Sequence, residues 1–110
     1  ECIIGTGIPF GERIYNKYLN EIDKISKNTA GIRRLGSAGI DLAYVASGKL
    51  DGFWEKGLNL WDVSSGVLLV KEAGGKISKI DGKDWDIESS DILASNTNIH
   101  IDLQKKLSLL

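Results

Sequence analysis

The chain has 110 residues, a formal net charge of -1 and one cysteine, Cys2. A chain of this length folds as a single domain and buries roughly two-thirds of its unfolded surface, which is enough for a hydrophobic core. One cysteine excludes an internal disulfide and a cysteine-based metal cluster, so the composition favours the cytoplasm. Basic and acidic residues are interspersed along the whole length, and this pattern predicts neither a nucleic-acid partner nor a membrane partner.

The first predicted elements are a strand over residues 2–6 and a helix over residues 12–27. Residues 2–6 form a short apolar run, and the glycines and proline of residues 7–11 predict a turn after it. Apolar residues recur in the helix at the spacing of one face, which a further tyrosine widens: Tyr15, Leu19, Ile22, Ile25 and Tyr18.

Residues 32–35 predict a second strand, and a second helix follows it. Gly36 leads into this helix, and Ser37 suits its N-cap because a serine hydroxyl can accept a hydrogen bond from a first-turn amide. The apolar residues that share one side of the helix are Ile40, Ala43 and Tyr44. A third strand is predicted over residues 50–55. Alternation places Leu50, Gly52 and Trp54 on one side of it, and Asp51, Phe53 and Glu55 on the other.

The third helix, predicted over residues 63–73, is apolar around most of its circumference. The residues responsible are Val63, Val67, Leu68, Leu69 and Val70. We expect such a helix to be buried between two layers. Strands over residues 76–80 and 92–94 follow. A helix from about residue 98 ends the chain, with Leu103, Leu107 and Leu110 directed inward.

The order β-α-β-α-β-α-β-β-α predicts an α/β fold of three αβα layers with a mostly parallel or mixed central sheet. Ligands bind to such folds where strands end and helices begin. Free amides before the first two helices favour an anion such as phosphate. Asp62, before the third helix, would repel phosphate unless a cation lies between them. A carboxylate in that position therefore predicts Mg²⁺, which prefers hard oxygen ligands.

Four segments of the sequence occur in a characteristic order. They read GTGIPF (residues 5–10), RLGSAGIDLA (residues 34–43), GKLDGFWE (residues 48–55) and WDVSSG followed by EAGG (residues 61–75). In order and spacing they resemble the C-terminal half of the inositol monophosphatase family, whose members are Mg²⁺-dependent sugar phosphatases. The resemblance covers almost the entire chain.

The resemblance implies a function and a set of site residues. The function is metal-assisted hydrolysis of a phosphorylated polyol such as inositol 1-phosphate. Asp62 would be a metal ligand. The residues that would line the sugar pocket are Glu55, Ala38, Gly36, Ser37 and, near its edge, Gly7.

The family's first signature, an Asp-Pro-Ile-Asp-Gly-Thr run that supplies two metal-binding aspartates, has no counterpart here. We therefore expect residues 1–110 to be the C-terminal half of a longer protein whose N-terminal half is missing. We expect this half alone to lack phosphatase activity and to hold Mg²⁺ weakly. A separated half would expose an apolar face, which predicts homo-oligomers.

Alternative interpretations stay open for the function and for single residues. Some bacterial relatives of the family bind transcription machinery, so the chain could be a non-catalytic interaction module. Asp62 could be a structural N-cap, and Glu55 a solvated strand residue. His100 begins the last helix and is expected on the surface. The acidic residues of segment 81–91 predict a solvated turn.

Overall fold

The computed structural model describes residues 2–7, 12–27, 29–57, 63–86 and 88–108, without the side chains of residues 12–16 and 108. The elements are β1 (Ile3–Thr6), α1 (Glu12–Ser26), β2 (Gly31–Arg33), α2 (Ala38–Ala46), β3 (Gly52–Lys56), α3 (Ser64–Glu72), β4 (Lys76–Ser78), β5 (Asp91–Ser95) and α4 (His100–Ser108). This order is the predicted one. No helix in the described part of the chain has both the length and the apolar character needed to cross a membrane.

The strands form one mixed sheet with the order β2-β1-β3-β5-β4. β1 is parallel to both β2 and β3, whereas β5 is antiparallel to both β3 and β4. The connections explain these directions. A helix between two strands brings the chain back to the end of the sheet where the first strand began, so the two strands run parallel, whereas the described residues between β4 and β5 form no helix and these two strands run antiparallel. β5 therefore runs against the other strands of the sheet, which are parallel.

The helices cover both faces of the sheet, which confirms the predicted three layers. One core cluster joins the sheet to α2 and α3, and a second joins it to α1 and α4. Successive side chains of β3 point to opposite faces of the sheet, so Phe53 belongs to the first cluster and Trp54 to the second. Leu50 was predicted on the side of Trp54, but it precedes the regular strand and packs with Phe53.

The prediction that α3 is buried between two layers is wrong. Its buried side consists of Gly66, Val67 and Val70, whereas the side chains of Leu68 and Leu69 are 58% and 47% exposed. α3 has α2 beside it and the sheet beneath it, and these contacts cover one side of the helix. The apolar residues on its other side face outward.

The buried sides of α1 and α2 also differ from the predicted ones. In α1, Leu19 is exposed and Glu21 is fully buried, because the helix rests on the sheet through Tyr18, Ile22 and Ile25. In α2, the side with Ile40 and Tyr44 is exposed. The side chains that α2 buries are Ala38, Asp41, Leu42 and Val45. Tyr15 and Leu110 were predicted to face inward, and their side chains lie outside the described residues.

His100 is buried, which corrects the prediction that it lies on the surface. Its side chain is 3% exposed, and its ring nitrogens lie 2.6 Å from Ser95 Oγ and 2.8 Å from Ser78 Oγ. The helix does begin at His100, as predicted. However, α4 starts so soon after β5 that its first residue faces back onto the sheet. Leu103 and Leu107 are buried as predicted.

Candidate functional site

The candidate site lies where β1 and β3 end side by side. β1 is followed by α1 on one face of the sheet, and β3 is followed by α3 on the opposite face. In α/β sheets, ligands bind outside the carboxyl ends of strands at the point where the connections diverge in this way. The pairing of Thr6 with Trp54 sets the register and brings Gly7 beside Glu55.

Gly7 and Glu55 are in direct contact. A Cβ atom added at Gly7 would overlap the carboxylate of Glu55. A side chain at this position would displace the Glu55 carboxylate, so Gly7 leaves the space that this carboxylate occupies. Glu55 is half-buried and lies on the same face of β3 as Phe53. The structure thus brings together two of the residues that were predicted to line the sugar pocket.

The first turn of α2 reaches the same edge of the sheet, because α2 begins shortly after the carboxyl end of β2. Ser37 is the N-cap, as predicted, and its Oγ accepts a hydrogen bond of 3.3 Å from the amide of Ile40. Gly36 has a φ of 84°, a left-handed conformation that favours glycine. The Ala38 side chain is buried in the core, so Ala38 would offer a ligand its backbone rather than its methyl group.

Asp41, one turn further along α2, is a buried acid that the sequence analysis missed. Its side chain is 1% exposed, and neither oxygen has a hydrogen-bond partner among the described residues. Burial, with a smaller contribution from the negative charge of Glu55, raises the pKa of Asp41 to about 7. The signal in the sequence was a single aspartate within the apolar run of α2, and the structure places it against Gly5.

On the opposite face of the sheet, Glu21 holds the end of β3. The indole Nε1 of Trp54 donates a hydrogen bond of 3.0 Å to Glu21 Oε1, and Lys56 Nζ lies 2.6 Å from Glu21 Oε2. Glu21 is fully buried, so both contacts are shielded from water. They fix the two neighbours of Glu55 along the strand and therefore limit the movement of its backbone.

Tyr18 and Thr6 complete the packing on this face. Thr6 Oγ1 donates a hydrogen bond of 3.2 Å to the carbonyl oxygen of Trp54, which ties the end of β1 to the end of β3. The rings of Tyr18 and Trp54 lie 6.1 Å apart between centroids. Burial raises the pKa of Tyr18, although its hydrogen bond with Thr6 acts in the opposite direction.

Asp62, the predicted metal ligand, lies outside the described residues, and its role stays a prediction. The described residues contain no group of three or more histidine, cysteine, aspartate or glutamate side chains that could hold a metal ion. In the acidic segment 81–91, carboxylate oxygens of Asp81, Asp86 and Asp91 accept hydrogen bonds from backbone amides. Asp81 and Asp86 stabilise local turns, and Asp91 joins the start of β5 to Ile80.

Two clefts lined by described residues lie away from this edge. One is lined by Cys2, Ile4 and Leu103, near the start of β1, and the other lies between the C-terminal ends of α2 and α3. Neither contains Gly7, Glu55 or Asp41. The site is therefore defined by the convergence of strand ends and side chains rather than by either of these clefts.

Comparison with known proteins gives consistent matches over the whole domain. The sequence pattern of the inositol monophosphatase family matches residues 7–108. An inositol-1-monophosphatase of Caulobacter vibrioides is 46% identical over 109 residues, covering 97% of this chain and 43% of that protein. A protein of Pseudomonas aeruginosa named Nus factor SuhB is 47% identical over 99 residues, covering 87% of this chain and 36% of that protein.

Solved structures show the same similarity. The extragenic suppressor protein suhB of Bartonella henselae superimposes with a TM-score of 0.91 at 41% identity, over 97% of this chain and 41% of that one. An inositol monophosphatase of Anabaena superimposes with a TM-score of 0.88 at 37% identity, over 100% of this chain and 44% of that one. The chain therefore spans less than half the length of these relatives.

Proposed function

Because this chain belongs to the inositol monophosphatase family, we propose that it supplies the polyol-binding part of a phosphatase. The substrate would be inositol monophosphate or a related polyol phosphate. The observation that supports this proposal best is the contact of Glu55 with Gly7 at the carboxyl ends of two adjacent parallel strands. This contact places a carboxylate at the edge of the sheet where ligands of such folds bind.

Each residue of the site has a physical role in this proposal. The Glu55 carboxylate accepts hydrogen bonds from substrate hydroxyl groups, and bonds to an ionised acceptor are stronger than neutral ones. Gly7 leaves the space that this carboxylate occupies. Gly36, Ser37 and Ala38 present backbone groups at the start of α2, where first-turn amides have no acceptor within the helix.

We also propose Asp62 as a ligand of Mg²⁺. When bound, Mg²⁺ supplies an activated water and neutralises charge on the phosphate. A carboxylate is the kind of donor that Mg²⁺ prefers, but one carboxylate is too few, because this ion needs several oxygen ligands in octahedral geometry. The remaining protein ligands would come from outside these 110 residues.

These 110 residues alone should therefore be inactive as a phosphatase and should bind Mg²⁺ weakly. Release of phosphate from inositol 1-phosphate by the purified 110-residue chain can be measured with and without Mg²⁺. The expected result is no release above background in either condition. Turnover that depends on Mg²⁺ would show that this part of the protein holds a complete metal site.

The Glu55 role is tested in the full-length protein with Mg²⁺ present. Glu55→Gln removes the charge and keeps the shape, so we expect KM for inositol 1-phosphate to rise by roughly 10-fold, as for the loss of one charge-assisted hydrogen bond. Glu88→Gln, at an exposed position of the acidic segment, is the matched control and should leave KM unchanged. An unchanged KM in Glu55→Gln would contradict the proposal.

A second candidate function is a non-catalytic interaction module in the cytoplasm. It is favoured by the relative named Nus factor SuhB and by apolar residues on the outer sides of α2 and α3. These exposed residues are Ile40, Tyr44, Leu68 and Leu69.

We propose that this outer surface also joins copies of the protein into homo-oligomers. Sedimentation of a monomer at high protein concentration would contradict self-association. Separately, a full-length protein that hydrolyses no polyol phosphate would favour the non-catalytic interaction module.

A further inference from the structure

Two glycines create space for two carboxyl groups on one face of the sheet. Gly5 and Gly7 lie two residues apart, so the positions of their missing side chains point to the same face. A Cβ at Gly5 would lie 2.8 Å from Asp41 Oδ1, and a Cβ at Gly7 would overlap the carboxylate of Glu55. The acids come from different elements, α2 and β3, and they meet along the same stretch of β1.

The burial of Asp41 restricts its charge. Its side chain is 1% exposed, and the described residues provide no hydrogen-bond partner for either oxygen. An ionised carboxylate without partners is costly to bury, whereas a protonated one is much less so. Two ionised carboxylates on one face of the sheet would also repel each other, and the negative charge of Glu55 does raise the pKa of Asp41. Both effects favour the protonated form of Asp41 while Glu55, which is more exposed, carries the charge.

Among the described elements packed around Asp41, the charged group that acts on it is the Glu55 carboxylate. β1 faces it with Gly5, and α3 faces α2 with an apolar side. β5 contributes Ile92 and Ala94 to the same core, and β3 contributes Phe53 beside Glu55. The other charged residues of these elements are exposed or bind other partners: Arg33, Asp51, Lys56, Lys71, Glu72 and Asp91.

We propose that Asp41 is a positioning residue for Glu55. While the buried Asp41 is protonated, it does not repel the Glu55 carboxylate, which stays over Gly7 as the ionised acceptor of a substrate hydroxyl. This inference rests on the proposed role of Glu55 in polyol binding. When Asp41 loses its proton, repulsion between the two carboxylates displaces the Glu55 side chain from its place over Gly7. The substrate hydroxyl then loses its acceptor. Asp41 thus acts through Glu55 and does not touch the substrate.

The coupling of the two acids is tested without substrate. The titration of the Asp41 carboxyl carbon is followed by ¹³C NMR in the full-length protein, and its signal is assigned with Asp41→Asn. Burial and Glu55 together place the Asp41 midpoint at about 7. Glu55→Gln should lower this midpoint, and Glu88→Gln should leave it in place. A midpoint that is the same in Glu55→Gln and in the unaltered protein would overturn the proposal.

The consequence for binding is tested by the pH dependence of KM for inositol 1-phosphate between pH 6 and pH 8.5. KM of the unaltered protein should rise by roughly 3-fold or more above pH 7, as Asp41 ionises. Asp41→Asn cannot ionise, so its KM should lack the rise that ionisation of Asp41 causes, and the ratio of the two KM values should change above pH 7. The titration of the substrate phosphate is common to both proteins and cancels in the comparison.

The outcomes separate this inference from the proposed function. If Glu55→Gln raises KM but Asp41→Asn keeps the pH dependence of the unaltered protein, the role of Asp41 is wrong and the role of Glu55 stands. If Glu55→Gln leaves KM unchanged, the proposed function itself fails, and the role of Asp41 fails with it. A urea unfolding curve of Asp41→Asn shows whether the variant is folded under the assay conditions.

Discussion

At the scale of single residues, burial decides the charge of His100. Its ring bridges Ser78 and Ser95 and therefore ties β4 and β5 to the start of α4. Burial, together with the positive charge of Lys76, lowers its pKa from 6.5 to about 4. The sequence placed His100 at the helix start correctly. It could not show burial, because that depends on how α4 lies against the sheet.

His100 should make stability depend on pH. Its folded pKa is depressed, so the unfolded chain binds more protons between pH 4 and pH 6.5. The stabilising contribution of the neutral ring is present above about pH 6.5 and is lost as pH falls toward 4. At pH 5 the loss should be about 2 kcal/mol in the free energy of unfolding.

The His100 effect is measured by urea unfolding at pH 7.5 and pH 5, with His100→Gln as the comparison. Asp41 acts in the opposite direction over much of this range, because its raised pKa makes the folded state bind more protons. The difference between the unaltered protein and His100→Gln removes the Asp41 contribution. That difference should shrink at pH 5. An equal difference at both pH values would show that His100 is not held neutral.

At the scale of elements, periodicity predicted the order of helices and strands but not which sides of the helices are buried. α2 and α3 are apolar on more than one side, so their hydrophobic patterns are ambiguous. The close approach of the two helices resolves the ambiguity. A Cβ at Gly66 would lie 2.6 Å from Leu42 Cβ, so α3 meets α2 at this glycine. Contacts of this kind join residues far apart in sequence, which a local pattern does not reveal.

Gly66→Ala should therefore destabilise the fold. The added methyl group gains some helix propensity, but it forces two packed helices apart, and we expect a net loss of about 1–2 kcal/mol. Ser65→Ala, at the exposed neighbouring position, should change stability by less than about 0.5 kcal/mol. Urea midpoints of the two variants provide the measurement. An unchanged urea midpoint in Gly66→Ala would mean that α2 and α3 are far enough apart at Gly66 to accept a methyl group.

At the scale of the whole molecule, the sheet brings together groups that are distant in sequence. The resemblance correctly predicted the fold. It also named Gly7 and Glu55, which are in direct contact, and their role in a sugar pocket stays a prediction. Asp41 was missed because a lone aspartate in a helix usually faces water. Its burial depends on the packing of α2 against β1, where Gly5 leaves space for the carboxyl group. Fold class is therefore easier to predict from sequence than the charge state of a site.

The central claim is that the polyol binds at the carboxyl ends of β1 and β3. The most direct measurement is a crystal structure of the full-length protein with inositol 1-phosphate bound. We predict a polyol hydroxyl within about 3.2 Å of a Glu55 carboxylate oxygen, a hydrogen-bond distance. A polyol bound elsewhere, for example in the cleft lined by Cys2 and Leu103, with Glu55 contacting no substrate atom, would contradict the claim.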